Sequence, residues 1–346
     1  MRLRPTLKLR LDGGALVSNY RWLAKQSGTA ACGAAVKADG YGLGAREVVR
    51  RLSAAGCRDF FVAHWAEAAA IADLVAPEQI AVLNGFDADD PAEALAMGAL
   101  PVLNTPQQIA RWKAASGGRC HVMLDSGINR LGIGPEQLGA GLFDGLEIDI
   151  LLSHLASADE DVAQNAAQLQ SFLHMGQGIK AQRRSLANSA GIMLGPDFHF
   201  DLTRPGLSLY GGVARAEMAG AIRQVATPLA SVLQVRDVQA ASPIGYNATY
   251  VTASPTRVAT LAIGYADGYW RGFSGKGTVR FGGHLLPVIG RVSMDLLLVD
   301  ASAAPDLAEG DWVEVSYDLP TASGLSGMSQ YELLTGLGAR AERVWE

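Results

Sequence analysis

Cysteine is scarce: Cys32, Cys57 and Cys120 are the only three in 346 residues, odd in number and scattered, without metal-ligand spacing. That excludes a disulfide scaffold, and the three read as small hydrophobes in a protein of a reducing compartment. Charge is also thin, at 18% against 49% hydrophobic residues, which excludes a disordered chain. No run of Lys and Arg occurs and the net charge is −5, so neither nucleic acid nor an anionic membrane is expected as a partner. The opening MRLRPTLKLRLDGG has no apolar stretch after its basic residues and does not read as a secretory signal. Nor is there a long hydrophobic run. The longest uncharged stretch, Val238 to Thr256, contains Pro243, Gly245 and Pro255, and reads as strands and a loop rather than a membrane span. The pattern GXXXXGK[ST] is missing, which argues against a nucleotide-type phosphate loop. These absences together lead to the expectation of a cytoplasmic globular protein.

What is present is a rhythm. Short apolar runs at Ala34–Val36, Asp59–Ala63, Gln79–Leu83, Leu100–Leu103, Cys120–Leu124, Ile148–Leu152, Ser185–Ala187 and Phe200–Leu202 alternate with helix-forming stretches such as AREVVRRLSAAG and AEAAAIADLVA. Strands apolar on both faces and separated by helices imply a parallel sheet covered on both sides. Eight units in about 210 residues fit a closed, TIM-like (β/α)8 barrel better than an open sheet. Beyond about Pro228 the texture changes to SVLQVRDVQAA, RVATLAIGY and GTVRFGGHLLPVIGRVSMDLLLVDAS, rich in alternation and punctuated by Gly and Pro. That predicts a mostly antiparallel β domain with one short helix, in SQYELLTGLGARAERV. The expected division is 1–222 for an α/β barrel that binds a cofactor and 223–346 for the β domain, with the first few residues packing on the latter.

The active site of such a barrel lies at the C-terminal ends of its strands. Just past the apolar runs stand Lys37, Arg130 in DSGINR, His154 in SHLASAD, Asn188 and Ser189 in NSAG, and Arg204 in TRPG. Each alone has a plainer reading: a solvated lysine, a core histidine, an arginine beside a turn. Their convergence on five strand ends favours chemistry. A desolvated lysine at a strand end is a device for forming a Schiff base, because burial makes the amine nucleophilic. The matching carbonyl compound is pyridoxal phosphate, with Ser189 and the backbone N–H groups around Gly206 as candidates for holding its phosphate.

The ordered set AVKADGYGLGA, LDSGINRLG, SHLASAD, NSAG, TRPGLSLYG, GYNATY, IGYADGY and GRVSMD, from about residue 5 to the C-terminus, resembles the alanine racemases. The resemblance implies pyridoxal 5′-phosphate, interconversion of L- and D-alanine for the cell wall or for catabolism, and a homodimer whose active sites are shared. It implies that Lys37 holds the cofactor and acts as one base, while Tyr246 of a second copy is the opposite base. Because a tyrosine ordinarily titrates near pH 10, such a base needs cations nearby. The implied chain of contacts runs from Tyr246 to His154 to Arg204, with Arg204 facing the cofactor's ring nitrogen. Arginine donates and cannot accept a proton, so the ring stays neutral and the carbanion short-lived, which favours racemisation over transamination. The resemblance further implies Tyr41 and Tyr331 at the phosphate, Arg130 at the cofactor and the substrate carboxylate, the Met294 N–H at the same carboxylate, and Tyr265, Asp159 and Arg271 at the entrance. No metal is implied.

One position departs from the family. Where many members carry a lysine modified as a carbamate, this chain has Met123; Arg130 must then be oriented by something else, such as a bound anion or water. Ser293, where some relatives have Cys, reads as neutral. Three other readings stand beside the racemase of alanine. A racemase of broader or different amino-acid specificity would share every motif. A non-catalytic pyridoxal-phosphate carrier would lack the β domain and Tyr246. A decarboxylase on a related fold would want a carboxylate in place of Arg204.

Overall fold

A computed structural model describes residues 5–86 and 91–346. The chain forms two compact units. One comprises 16–209 with 213–223, and the other the segment through Ala15, 210–212 and 224–346.

The first unit is a barrel. Seven parallel strands, Ala34–Ala35, Phe60–Val62, Ile80–Val82, Leu100–Leu103, Arg119–Met123, Glu147–Leu152 and Arg183–Ser185, follow one another in chain order. An eighth, Leu202–Thr203, closes the ring: Asp201 N and Arg204 N donate to Arg184 O and Ala187 O on one side. On the other side Ala31 N, Gly33 N and Ala35 N donate to the Asp201, Thr203 and Pro205 carbonyls. The strands are short and, apart from Arg183, Arg184 and the exposed first residues Arg119 and Glu147, buried on both faces, as a sheet wrapped by helices requires. Helices such as Ala45–Ala54, Pro106–Ala114 and Ala163–Met175 pack outside. Between them and the sheet Phe86 meets Trp112 edge to face at 4.9 Å, and Phe172 meets Phe200 at 5.2 Å. The (β/α)8 expectation therefore holds, with the seventh and eighth strands displaced by about two residues. The stretch AEAAAIADLVA is helical only in part, over Trp65–Ala69. Beyond it Ile71 N and Leu74 N bond three residues back, tight turns that lead to extended Ala76 before Pro77.

The second unit is built on a 13-residue strand, Ala226–Val238. Its first half pairs with Leu7–Leu11 and Trp312–Val315, and its second half with Thr256–Leu261, the register shifting between Val232 and Gln234. A bulge there lets one strand serve two partners in succession. Among the described residues all pairings of this unit are antiparallel except that of Leu7–Leu11 with Glu342–Trp345. Among the described residues this unit has two α-helices, Leu319–Ser326 and Gln330–Thr335, where one was expected. The first escaped notice because TASGLS has no apolar stripe; its start is set by Asp318, whose carboxylate accepts from Thr321 N at 3.1 Å. No helix among the described residues is long and apolar enough to cross a membrane.

Candidate active site

Lys37 stands two residues past the first barrel strand and opens a turn of unusual hand. Ala38, Asp39, Gly40 and Tyr41 have φ of 53°, 51°, 63° and 55°, one turn of left-handed helix. For non-glycine residues this costs about 1–2 kcal/mol each, so the segment must be held from outside. Asp39 Oδ1 accepts from Ala45 N at 2.8 Å, and Gly42 N donates to Ala38 O at 2.8 Å. Glu67, on the helix Trp65–Ala69 after the second strand, accepts from Ala38 N and from Ala63 N, each at 2.7 Å. The Lys37 amine is held below its ordinary pKa, first by burial and then by the charge of Arg130; Glu67 opposes this and Arg204 adds to it. A lysine so placed gives up its proton more readily than a free one, and the deprotonated amine is the nucleophilic form.

Arg204, only 7% exposed, comes from the end of the eighth strand. It donates to Ser185 Oγ and, at 2.6 Å, to Ser153 O. Its Cζ lies 5.8 Å from the centre of the Phe61 ring. No carboxylate pairs with it among the described residues, and burial pushes its pKa down to about 10, which leaves it charged at neutral pH. His154 is pushed down to about 3, by burial first and then by Arg204, Arg130 and Lys37. It is therefore a neutral imidazole, coupled to Arg204 through charge rather than through a hydrogen bond among the described residues. Behind it, Gln168 Nε2 donates to His154 O at 3.0 Å, and the Ser153 hydroxyl donates to Leu124 O at 2.7 Å, fixing the strand end.

Tyr41, Ser189 and Gly206 meet at the ends of the seventh and eighth strands. Ser189 Oγ accepts from Gly206 N at 2.9 Å and Ser208 N at 3.2 Å. A Cβ on Gly206 would stand 2.2 Å from Tyr41 Oη, so only glycine lets the buried phenol reach this loop. Backbone donors and two hydroxyls thus gather beside the short helix Leu207–Tyr210, groups of the kind that can hold a phosphate after strands seven and eight of such barrels.

Arg130 belongs to a loop organised by Asp125. The Asp125 carboxylate accepts from the N–H groups of Gly127, Ile128, Asn129 and Arg130, all within 2.9–3.0 Å. Burial would raise its pKa, but these four donors outweigh burial and hold it low. Met123 is buried, and its Cγ lies 2.9 Å from where a Gly132 Cβ would be. A thioether thus packs behind the Asp125 loop. The exposed Arg130 guanidinium makes no ion pair among the described residues.

The remaining candidates lie elsewhere. Asp159 is exposed in the barrel unit, and the helix after it begins at Ala163 with Val162 as its cap, so Asp159 does not cap it. Tyr246, Met294, Tyr265, Arg271 and Tyr331 belong to the β unit. Tyr246 sits at the tip of the hairpin Pro243–Ile244/Tyr250–Val251, 67% exposed, followed by Asn247 and Ala248 at positive φ. Tyr265 N and Ala266 N donate to the Ser293 and Met294 carbonyls, each at 3.0 Å. A Cβ on Gly264 would lie 2.4 Å from both oxygens, so this docking of two loops needs glycine. Arg271 lies over the Tyr265 ring at 5.2 Å, which brings the two entrance candidates of this unit together. Met294 and Tyr331 are 53% and 46% exposed. Among the described residues no group of three or more His, Cys, Asp or Glu is placed to hold a metal ion.

The model of the alanine racemase N-terminal domain matches residues 11–214, and that of the alanine racemase C-terminal domain matches 225–345. The chain belongs to the alanine racemase family. It is 42% identical to a catabolic alanine racemase of Agrobacterium fabrum, over 97% of this chain and 91% of that protein. It is 38% identical to a biosynthetic alanine racemase of the same organism, over 98% and 93%. The crystal structure of alanine racemase from Bartonella henselae with covalently bound pyridoxal phosphate superposes with a TM-score of 0.91 at 37% identity, covering 99% of this chain and 100% of that one. Within the alanine racemase frame, sequence reasoning overlooked Glu67, Asp125 and Ser185. Only Asp125 left a signal, as the first residue of a DSG turn.

Proposed function

We propose that this chain is a pyridoxal-phosphate-dependent alanine racemase working by two bases. The supporting observation is the convergence, at one barrel mouth, of a depressed lysine, a buried arginine with neutral partners, and a cradle of Tyr41, Ser189 and Gly206. These residues fit pyridoxal phosphate. Lys37 would bind it covalently, Tyr41 Oη, Ser189 Oγ and the Gly206 N–H would hold its phosphate with Tyr331 assisting, and Arg204 would donate to its ring nitrogen. When bound, the cofactor acidifies the substrate's α-proton by accepting the electrons left behind.

The protein supplies the rest. Lys37 Nζ removes or returns the proton on one side of the α-carbon, and Tyr246 Oη does so on the other. Arg130 and the Met294 N–H bind the substrate carboxylate. Arg204, a cation that only donates, would leave the cofactor's ring nitrogen unprotonated and so limit its electron withdrawal, and neutral His154 would pass its influence toward Tyr246. Asp159, Tyr265 and Arg271 line the entrance. Tyr246, exposed on its hairpin, would act in a second copy's barrel, in a homodimer with shared sites; specific activity would then fall on dilution. The three cysteines are free and buried, which suits action in the cytoplasm.

The test is to load the chain with pyridoxal phosphate, supply L-alanine, and separately L-serine, L-lysine and L-arginine, and quantify the D-enantiomers. Rapid conversion of alanine alone is expected. Conversion chiefly of another amino acid would replace the substrate and keep the mechanism. No conversion with the cofactor bound would overturn the reading in favour of a carrier. A catabolic and a biosynthetic relative are similar to it to nearly the same degree, so physiological direction is a matter for growth on D-alanine.

A further inference from the structure

We infer that Glu67 is a positioning residue for Lys37: by bonding at once to the Ala38 and Ala63 N–H groups, its carboxylate pins the left-handed turn that carries the amine against the end of the neighbouring strand. The inference rests on the reading of Lys37 as the cofactor-binding lysine.

Three features support it. The turn contains Ala38, Asp39 and Tyr41 in a conformation that L-residues avoid, so it does not hold itself. The two donors sit just past the first and second barrel strands, and only a group with two acceptor oxygens satisfies both at 2.7 Å. A carboxylate does this, whereas an amide would turn one N–H toward another. Finally, Glu67 is largely shielded, at 17% side-chain exposure, and its charge bears on the amine. The groups facing Lys37 are Arg130 and Arg204, which oppose its protonation, neutral His154, and Glu67, which favours it. His64 lies 3.9 Å from Glu67 on the exposed side.

The experiment uses the full chain loaded with pyridoxal phosphate, as wild type, Glu67→Gln and Glu67→Asp. Hydrogen exchange is followed in a peptide spanning 36–46, and the absorbance of the bound cofactor is titrated with pH. Borohydride reduction and peptide mapping identify the modified lysine. Expected for Glu67→Gln is exchange in 36–46 faster by about tenfold, with peptides of the β unit unchanged. The pH of the absorbance transition should fall by about half a unit or more, because a favourable negative charge has been removed. Glu67→Asp keeps the charge but not the reach, so it should speed exchange and move the transition less. Unchanged exchange in both variants would overturn the inference. Faster exchange with an unmoved transition in Glu67→Gln would reduce Glu67 to a structural clamp and overturn its role toward the amine. Reduction trapped on a lysine other than Lys37 would overturn the functional reading beneath it, separately from the exchange result.

Discussion

The two ends of the barrel solve the same electrostatic problem in opposite ways. At the N-terminal ends of the strands, buried charge is paired: Arg183 bonds Asp59 at 2.8 Å and Asp149 at 3.0 Å, and Arg119 reaches Asp149 at 3.3 Å. At the mouth, Lys37, Arg130 and Arg204 gather around His154, with Glu67 as the one acidic group acting on the lysine. Each end has a histidine pushed down to about 3. For His121 at the base burial does this, although Asp149 pulls the other way. For His154 burial is reinforced by three cations. Paired charge at the base stabilises the fold, while the unpaired positive charge at the mouth is what the proposed phosphate and carboxylate would neutralise.

The comparison breaks most sharply at Lys37. Lys37→Ala should lower kcat for alanine racemisation on the order of 10³-fold or more, with the thermal transition unchanged. Arg204→Leu should cost about 10²-fold in kcat, and it should raise the His154 pKa, read by NMR, because a cation has been removed. At the base the pattern inverts. Arg183→Met should lower stability by about 2 kcal/mol in urea titration, discounted for the partial exposure of Arg183, since it strands Asp149 without its main partner. Racemisation per folded molecule should stay unchanged, and an equal loss of activity would erase the distinction between the two ends. His121→Gln refines this through pH. In the unfolded chain the imidazole takes its proton near pH 6.5, and in the fold only near 3. The contribution is complete above 6.5 and is lost as pH falls toward 3, at no more than about 1.4 kcal/mol per pH unit. The variant should therefore show a flatter stability profile over that window. The smallest effect is expected at neither end: Arg46, paired with Asp73 on the outer surface, can become Ala with melting temperature and rate within error.

Lys37, Arg204, His154 and Ser189 were legible because a reactive or anion-binding side chain after a short apolar run has few packing reasons to be there. The barrel was legible because its strands are apolar on both faces. The partners were not. Glu67 sits in an alanine-rich helix and reads as a solvated face, and its two backbone donors lie 29 and 4 residues away in sequence. Ser185 looks like any strand serine until Arg204 arrives from the next strand. The left-handed turn was hidden as well, since KADGY has glycine at only one of its four positive-φ positions. Periodicity records which face is buried; a bond made across the ring leaves no period.

The strand Leu7–Leu11 lies between Ala226–Ala230 and Glu342–Trp345, so its neighbours come more than 200 and more than 300 residues later in the chain. On a ribosome the barrel segment is complete while that first strand still lacks both partners. The barrel can therefore assemble early from near-neighbour strand pairs, and the β unit closes only when the last residues are available, a late step of high contact order. Until Ala226–Ala230 emerges the LKLRL strand has two open edges, and a nascent chain stalled before residue 342 would still expose one of them as a template for aggregation.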